Sequence, residues 1–97
     1  MFAVINHFPL DIPVAQVAAE MEADGFAVLA AQPGFQGCYV VQEEEQRAAV
    51  VIFWTDGEAA AAGGRVMGAT WFHDHVAPHL TGDQARTLGP VVAQRVG

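Results

Sequence analysis

The chain contains no lysine. Its only cations besides histidine are Arg47, Arg65, Arg86 and Arg95, spread along the sequence and set against eleven acidic residues for a formal net charge of -7. Gripping a phosphate backbone requires clustered cations, so nucleic acid is disfavoured as a partner, and an anionic membrane surface is disfavoured on the same ground. There is a single cysteine, Cys38, which excludes an intrachain disulfide. It sits in an apolar run with no activating neighbour, and reads as a small buried hydrophobe rather than a nucleophile. No basic start followed by an apolar core opens the chain, and no apolar run approaches bilayer length. The expectation is a soluble, cytoplasmic protein.

With 97 residues, 53% hydrophobic and only 15% charged, the sequence predicts one domain spanning residues 1–97. A domain this small buries a modest share of its surface. Its apolar content exceeds what a monomer hides easily, so a homodimer is expected.

The pattern is organised around Pro33 to Asp56, PGFQGCYVVQEEEQRAAVVIFWTD. A Pro-Gly break precedes the apolar run Cys38 to Val41. The polar stretch Gln42 to Arg47, with Glu43-Glu44-Glu45 as a solvated tip, separates it from the apolar run Ala48 to Trp54, as in a hairpin. Upstream, Phe2 to Asn6 alternates as a short strand, with Phe2, Val4 and Asn6 on one face. A helix is predicted from about Pro13, carrying Val17, Met21, Gly25 and Leu29 on its apolar side and stopped by Gln32-Pro33-Gly34. Gly25 marks either a close approach or a local break. A second helix is predicted from Glu58 after a cap at Thr55-Asp56, bending or breaking at Gly63-Gly64, with a further helical piece from about Val66 to Ala77 stopped by Pro78. The valine-rich Pro90 to Val96 reads as the last strand.

Strand, helix, strand, strand, helix, strand is the ferredoxin-like βαββαβ order: an α+β fold with a four-stranded antiparallel sheet and helices on one face. Both faces of the hairpin are apolar, so the side away from the helices needs a cover, and a second copy of the sheet would supply it. Cys38 and Val40 are expected on that outer face.

These residues resemble the antibiotic biosynthesis monooxygenase (ABM) group of the dimeric α/β-barrel superfamily. The resemblance rests on a helix closing on Pro33-Gly34-Phe35-Gln36-Gly37, a hairpin into Val51-Ile52-Phe53-Trp54-Thr55-Asp56, Glu58-Ala59 opening the next helix, and a Trp/His-bearing segment before the last strand. It implies a face-to-face dimer forming a barrel, with a pocket in each subunit between sheet and helices. The implied activity is a cofactor-independent monooxygenase oxidising a small aromatic or quinol-like substrate with molecular oxygen, needing no metal or flavin. Two alternatives stand beside it: a non-catalytic ligand-binding dimer, and a haem-degrading monooxygenase. The haem-degrading branch has a strand-one asparagine that matches Asn6 and a histidine after the second helix that matches His73. Its tryptophan within helix two falls on Gly63 here.

The densest group of titratable and aromatic side chains is Trp71-Phe72-His73-Asp74-His75, followed closely by His79. A histidine titrates near neutral pH and could take a phenolic proton, leaving an electron-rich anion to react with oxygen; His73 and His75 are the candidates. His75 and His79 have the i, i+4 spacing of a metal pair, but Pro78 interrupts the helix and no third ligand is marked, so no metal site is expected. Asn6 either bonds a substrate oxygen or meets water at the strand end. Trp54, Trp71, Phe72, Phe26 and Phe35 either line a pocket for a planar substrate or form plain core.

Overall fold

The computed structural model describes residues 1–97. Strand β1 (Phe2–Pro9) leads into a helical stretch made of α1 (Val14–Glu20), a π-helical turn (Met21–Gly25) and α2 (Phe26–Ala30). The hairpin β2 (Phe35–Glu44) and β3 (Arg47–Trp54) follows, then α3 (Gly57–Ala69), α4 (Trp71–His75), a 3-10 turn (Ala77–His79) and β4 (Ala85–Pro90). The four strands form one antiparallel sheet in the order β2-β3-β1-β4. This is the predicted ferredoxin-like arrangement, with the helices on one face.

The hairpin is longer than the sequence pattern suggests. Only Glu45 and Gln46 turn, and Glu43 is an extra residue between the Gln42↔Ala48 and Glu44↔Arg47 pairs. Such a bulge twists the strand end. Here the turn is captured by the β1–α1 connection, where Leu10 N–H donates to the Gln46 carbonyl at 2.8 Å and Val14 N–H to that of Glu45 at 2.7 Å. The polar composition of the tip therefore hides a backbone ladder that continues through it.

The core lies between the helices and the sheet face carrying Val4, Phe8, Ala48, Val50, Ile52 and Trp54, against Val17, Met21, Leu29, Ala60, Met67, Trp71 and Val76. Cys38 and Val40 pack against this core, so the expected assignment of β2's faces is reversed. The outer face carries Tyr39 and Val41, 64% and 46% exposed, opposite Val51 and Ala49 in the ladder. With both faces apolar, alternation alone has no sign. The sign is set by the bulky inner-face indole of Trp54, only 1% exposed.

Two further expectations are corrected. Helix α3 runs through Gly63-Gly64 without a break. It is capped by Asp56, whose carboxylate accepts from Ala59 N–H at 2.8 Å, and it stops at Thr70, where φ is -117° and ψ is -94°. Gly63 is needed for contact, because a Cβ there would collide with the Trp54 ring. The last strand lies at Ala85–Pro90, before the valine-rich tail. Residues 91–97 have no regular structure, and Val92 and Val96 are 92% and 83% exposed. Pro90 ends the ladder instead of starting it, since it has no N–H to contribute.

The Gly63 contact sets opposite signs for two glycines of one helix. Gly63→Ala should lower stability by about 1–3 kcal/mol through overpacking on Trp54. Gly68→Ala, whose Cβ would have no neighbour within 4 Å, should raise it by about 0.4–1 kcal/mol. Thermal melts of both variants check the pair.

Candidate functional site

Between the inner face of the sheet and α3–α4 lies a cavity of about 290 Å³. Alternation along β1 puts Val4, Asn6 and Phe8 into its floor, and β3 adds Val50, Ile52 and Trp54. Met67, Trp71, Phe72 and Val76 form the roof. Gln84 and Arg86, on the approach to and within β4, reach it from the side. A second cavity of about 430 Å³ adjoins it between β1, β4 and α3, sharing Val4, Ala60, Gly64 and Arg86 and adding Arg65. The two form one cleft.

The phase of α4 decides which of the candidate residues enter. Successive residues of a helix turn by about 100°. Once Trp71 and Phe72 point inward, His73 and Asp74 must point out, and His75 returns to the side of Trp71 one turn later. Phe72 meets Phe8 edge to face at 5.8 Å. The Trp71 indole N–H donates to the Asp24 carboxylate of the π-helical turn. His75 stacks on the Trp71 ring, with centroids 4.6 Å apart and planes 14° from parallel. Its Nδ1 lies 3.8 Å from the Glu20 carboxylate. Trp71 is thus held at both its edge and its face.

Asn6, Trp54, Trp71 and Phe72 share the cavity, whereas His73 and His75 lie outside its lining. His73 has 73% of its side chain exposed and sits 3.2 Å from the Asp74 carboxylate. His75 stands behind Trp71. Phe26 packs against the core outside the cavity, and Phe35 supports Trp54 edge to face at 5.8 Å. No histidine faces Asn6 in the cavity, because helix geometry spends the inward positions of α4 on its aromatics. His79 bonds Asp11 at 2.9 Å, away from His75, and no three His, Cys, Asp or Glu side chains converge as metal ligands would.

In the sequence Arg86 is only one of four scattered cations. Its strand, ARTLGP, is an exposed edge with no apolar alternation, so nothing in the sequence pattern marks it as a strand or as paired with Asn6. The ladder does so: Asn6 and Arg86 are direct partners across β1 and β4.

The chain shares its fold with solved structures over nearly its whole length. A monooxygenase from the gene ActVA-Orf6 of Streptomyces coelicolor, in complex with nanaomycin D, superposes with a TM-score of 0.77 at 15% identity, covering 99% of this chain and 91% of that one. SnoaB, a cofactor-independent oxygenase from Streptomyces nogalater, gives 0.76 at 18% identity over 96% and 94%. A variant of MhuD with two manganese protoporphyrin IX molecules bound per active site gives 0.74 at 24% identity over the full length of both chains. The protein therefore has the fold of the antibiotic biosynthesis monooxygenases. The same fold occurs in a Nitrosomonas europaea protein of unknown function, with a TM-score of 0.77 at 12% identity over 99% of this chain and 93% of that one. No protein-family model matches the sequence, and no curated protein matches it either.

The cysteine is a spectator with a measurable signature. Burial pushes the Cys38 thiol up from its ordinary 9.0 to about 12, so it stays protonated at neutral pH. The unfolded thiol gives up its proton near the ordinary value while the folded one keeps it. The unfolded state therefore binds fewer protons across this window, and stability falls as pH rises from about 9 to about 12. Denaturant melts at several alkaline pH values should show a shallower decline for Cys38→Ala than for the wild type.

Proposed function

We propose that the protein is a monooxygenase that oxidises a small, planar, hydroxylated aromatic compound with molecular oxygen in the cavity between sheet and helices. The observation that carries this reading is the set of four aromatic side chains, Phe8, Trp54, Trp71 and Phe72, around a space of about 290 Å³ whose floor holds the amide of Asn6. Flat aromatic walls favour flat ligands and exclude water. The Asn6 side chain makes no hydrogen bond within the protein, which leaves it free to donate to a substrate oxygen. Two fold neighbours described as a monooxygenase and a cofactor-independent oxygenase support the same chemistry.

In this reading the electrons come from the substrate, whose deprotonated form reacts with oxygen, and the chain supplies orientation and a dry enclosure. Asn6 is the polar contact and Trp54, Trp71 and Phe72 are the walls. His75 acts indirectly, by holding the ring of Trp71. His73, pointing into solvent, has no part in the reaction. Oxygen uptake with anthrone- and quinol-type substrates tests the reading. Asn6→Ala should lower turnover by about tenfold or more, equivalent to a lost hydrogen bond of about 1.4 kcal/mol, while His73→Ala leaves it unchanged. A folded protein that consumes no oxygen across such a panel would overturn the proposal.

The porphyrin-bound neighbour raises haem as an alternative substrate, and the residues fit it poorly. None of the four histidines lines the cavity, so an iron there would find no imidazole. At Gly63, where the haem-degrading branch carries a tryptophan, any side chain would collide with Trp54.

The working unit in this proposal is a homodimer joined through the outer face of the sheet. Tyr39 and Val41 are exposed there beside Ile5, Val51 and Phe53, an apolar strip with no cover within the chain. At about 25 cal/mol per Å², a standard interface of about 1,600 Å² gives a gross stabilisation exceeding the stability of a small domain before association costs. Sedimentation should give a dimer at micromolar concentration, converted to a folded monomer by Val41→Asp. A wild-type monomer would refute the dimer.

A further inference from the structure

The cleft has an electrostatic character opposite to that of the chain. Two of the four arginines, Arg65 and Arg86, line it, and none of the eleven acidic residues does. Arg86 borders both halves of the cleft. It is the direct ladder partner of Asn6, so their Cβ atoms stand about 5 Å apart on the same face. Its guanidinium reaches across to α3, where a Cβ on Gly64 would lie 3.8 Å from Nη2. Arg47 is the only arginine within 4 Å of a carboxylate, 3.6 Å from Glu43. In a protein with so many carboxylates, Arg86 is left unneutralised beside the polar amide of an aromatic cavity.

We propose that Arg86 is the specificity-determining residue of this cleft, where it holds an anionic oxygen, carboxylate or phenolate, carried by a planar aromatic ligand. The inference rests on the reading of the cavity as an aromatic-ligand site. A guanidinium presents a fork of N–H donors suited to a carboxylate and supports a single phenolate oxygen as well. Arg65 adds to the same positive potential from the outer half. The overall charge of -7 opposes anion approach at long range, but that field is screened beyond about 8 Å at physiological ionic strength, so the adjacent arginines dominate at contact. The arrangement also accounts for a cavity without an imidazole. A phenol bound beside a fixed cation ionises more readily, its proton passes to water, and no side-chain base is required.

The test is equilibrium binding of two near-isosteric probes, naphthoate and the uncharged naphthamide, followed by tryptophan fluorescence and calorimetry. The proteins compared are the wild type, Arg86→Gln and Arg86→Lys, each checked for an unchanged melting temperature. The exposed edge position of Arg86 leaves the core intact in both variants. The wild type should bind naphthoate at least about tenfold tighter than naphthamide, the range of a charge-assisted hydrogen bond. The preference should vanish in Arg86→Gln, survive in part in Arg86→Lys, and shrink with added salt for naphthoate alone. Equal binding of both probes to the wild type, or a preference that persists in Arg86→Gln, overturns the proposal while leaving the aromatic cavity standing. Failure of both probes to bind at millimolar concentration overturns both readings together.

Discussion

Each of the two tryptophans lies on a glycine, and the rest of the structure is set by those two contacts. Trp54, at the end of β3, occupies the space that a side chain on Gly63 of α3 would need. Trp71, at the start of α4, lies against Gly25, where a Cβ would come 2.9 Å from the indole and 2.7 Å from the Met21 sulfur. An indole is among the largest apolar side chains, and pressing it onto bare backbone buries it with little void. The Trp54 contact fixes how closely α3 approaches the sheet. The Trp71 contact fixes where the chain re-enters after α3 ends.

The cavity follows from this arrangement. Helix α3 faces the sheet largely with Ala60, Gly63, Gly64 and Met67, so the volume beside Trp54 is left unfilled near Asn6 and Arg86. Trp71 closes the roof because three groups hold it: the Asp24 carboxylate at its N–H, the His75 ring on one face and the backbone at Gly25. Asp24 and Gly25 both belong to the π-helical turn. A π-turn adds a residue to the helix and re-aims those that follow, and such turns are frequent at functional sites. Here it supplies both the acceptor and the bare surface that Trp71 requires.

How much of this was legible in the sequence depends on whether an element declares itself by burial. The hairpin, the first helix and the cap at Asp56 carry strong local signals, and the fold order follows from them. Strand β4 buries almost nothing. Its sequence therefore carries no hydrophobic period, and the valines after it drew the assignment instead. Gly63-Gly64 read as a weak point because helix propensity considers the isolated helix, while the constraint acting there is the distance to Trp54. Asn6, Trp54, Trp71 and Phe72, which line one cavity, stand out in one dimension as a polar residue on an apolar strand face and a cluster of aromatics. The density of histidines along the chain does not reveal the phase of α4, which leaves His73 and His75 outside the cavity lining.

The same phase argument bears on how a reaction could run in this cleft. A side-chain base must lie within hydrogen-bond reach of the proton that it removes, about 2.6–3.2 Å between heavy atoms. Beside the aromatic walls of this cleft the polar side chains are those of Asn6 and Gln84, which are neutral, and Arg86 and Arg65, which are permanently protonated. None of them can accept a proton, yet all can stabilise an anion. A site so equipped favours the conjugate base of an acidic ligand and leaves the proton to solvent, so the pH dependence of binding would follow the ligand's own ionisation. In the proposed reaction the protein would contribute the free energy of ion pairing and the exclusion of water around an electron-rich ring.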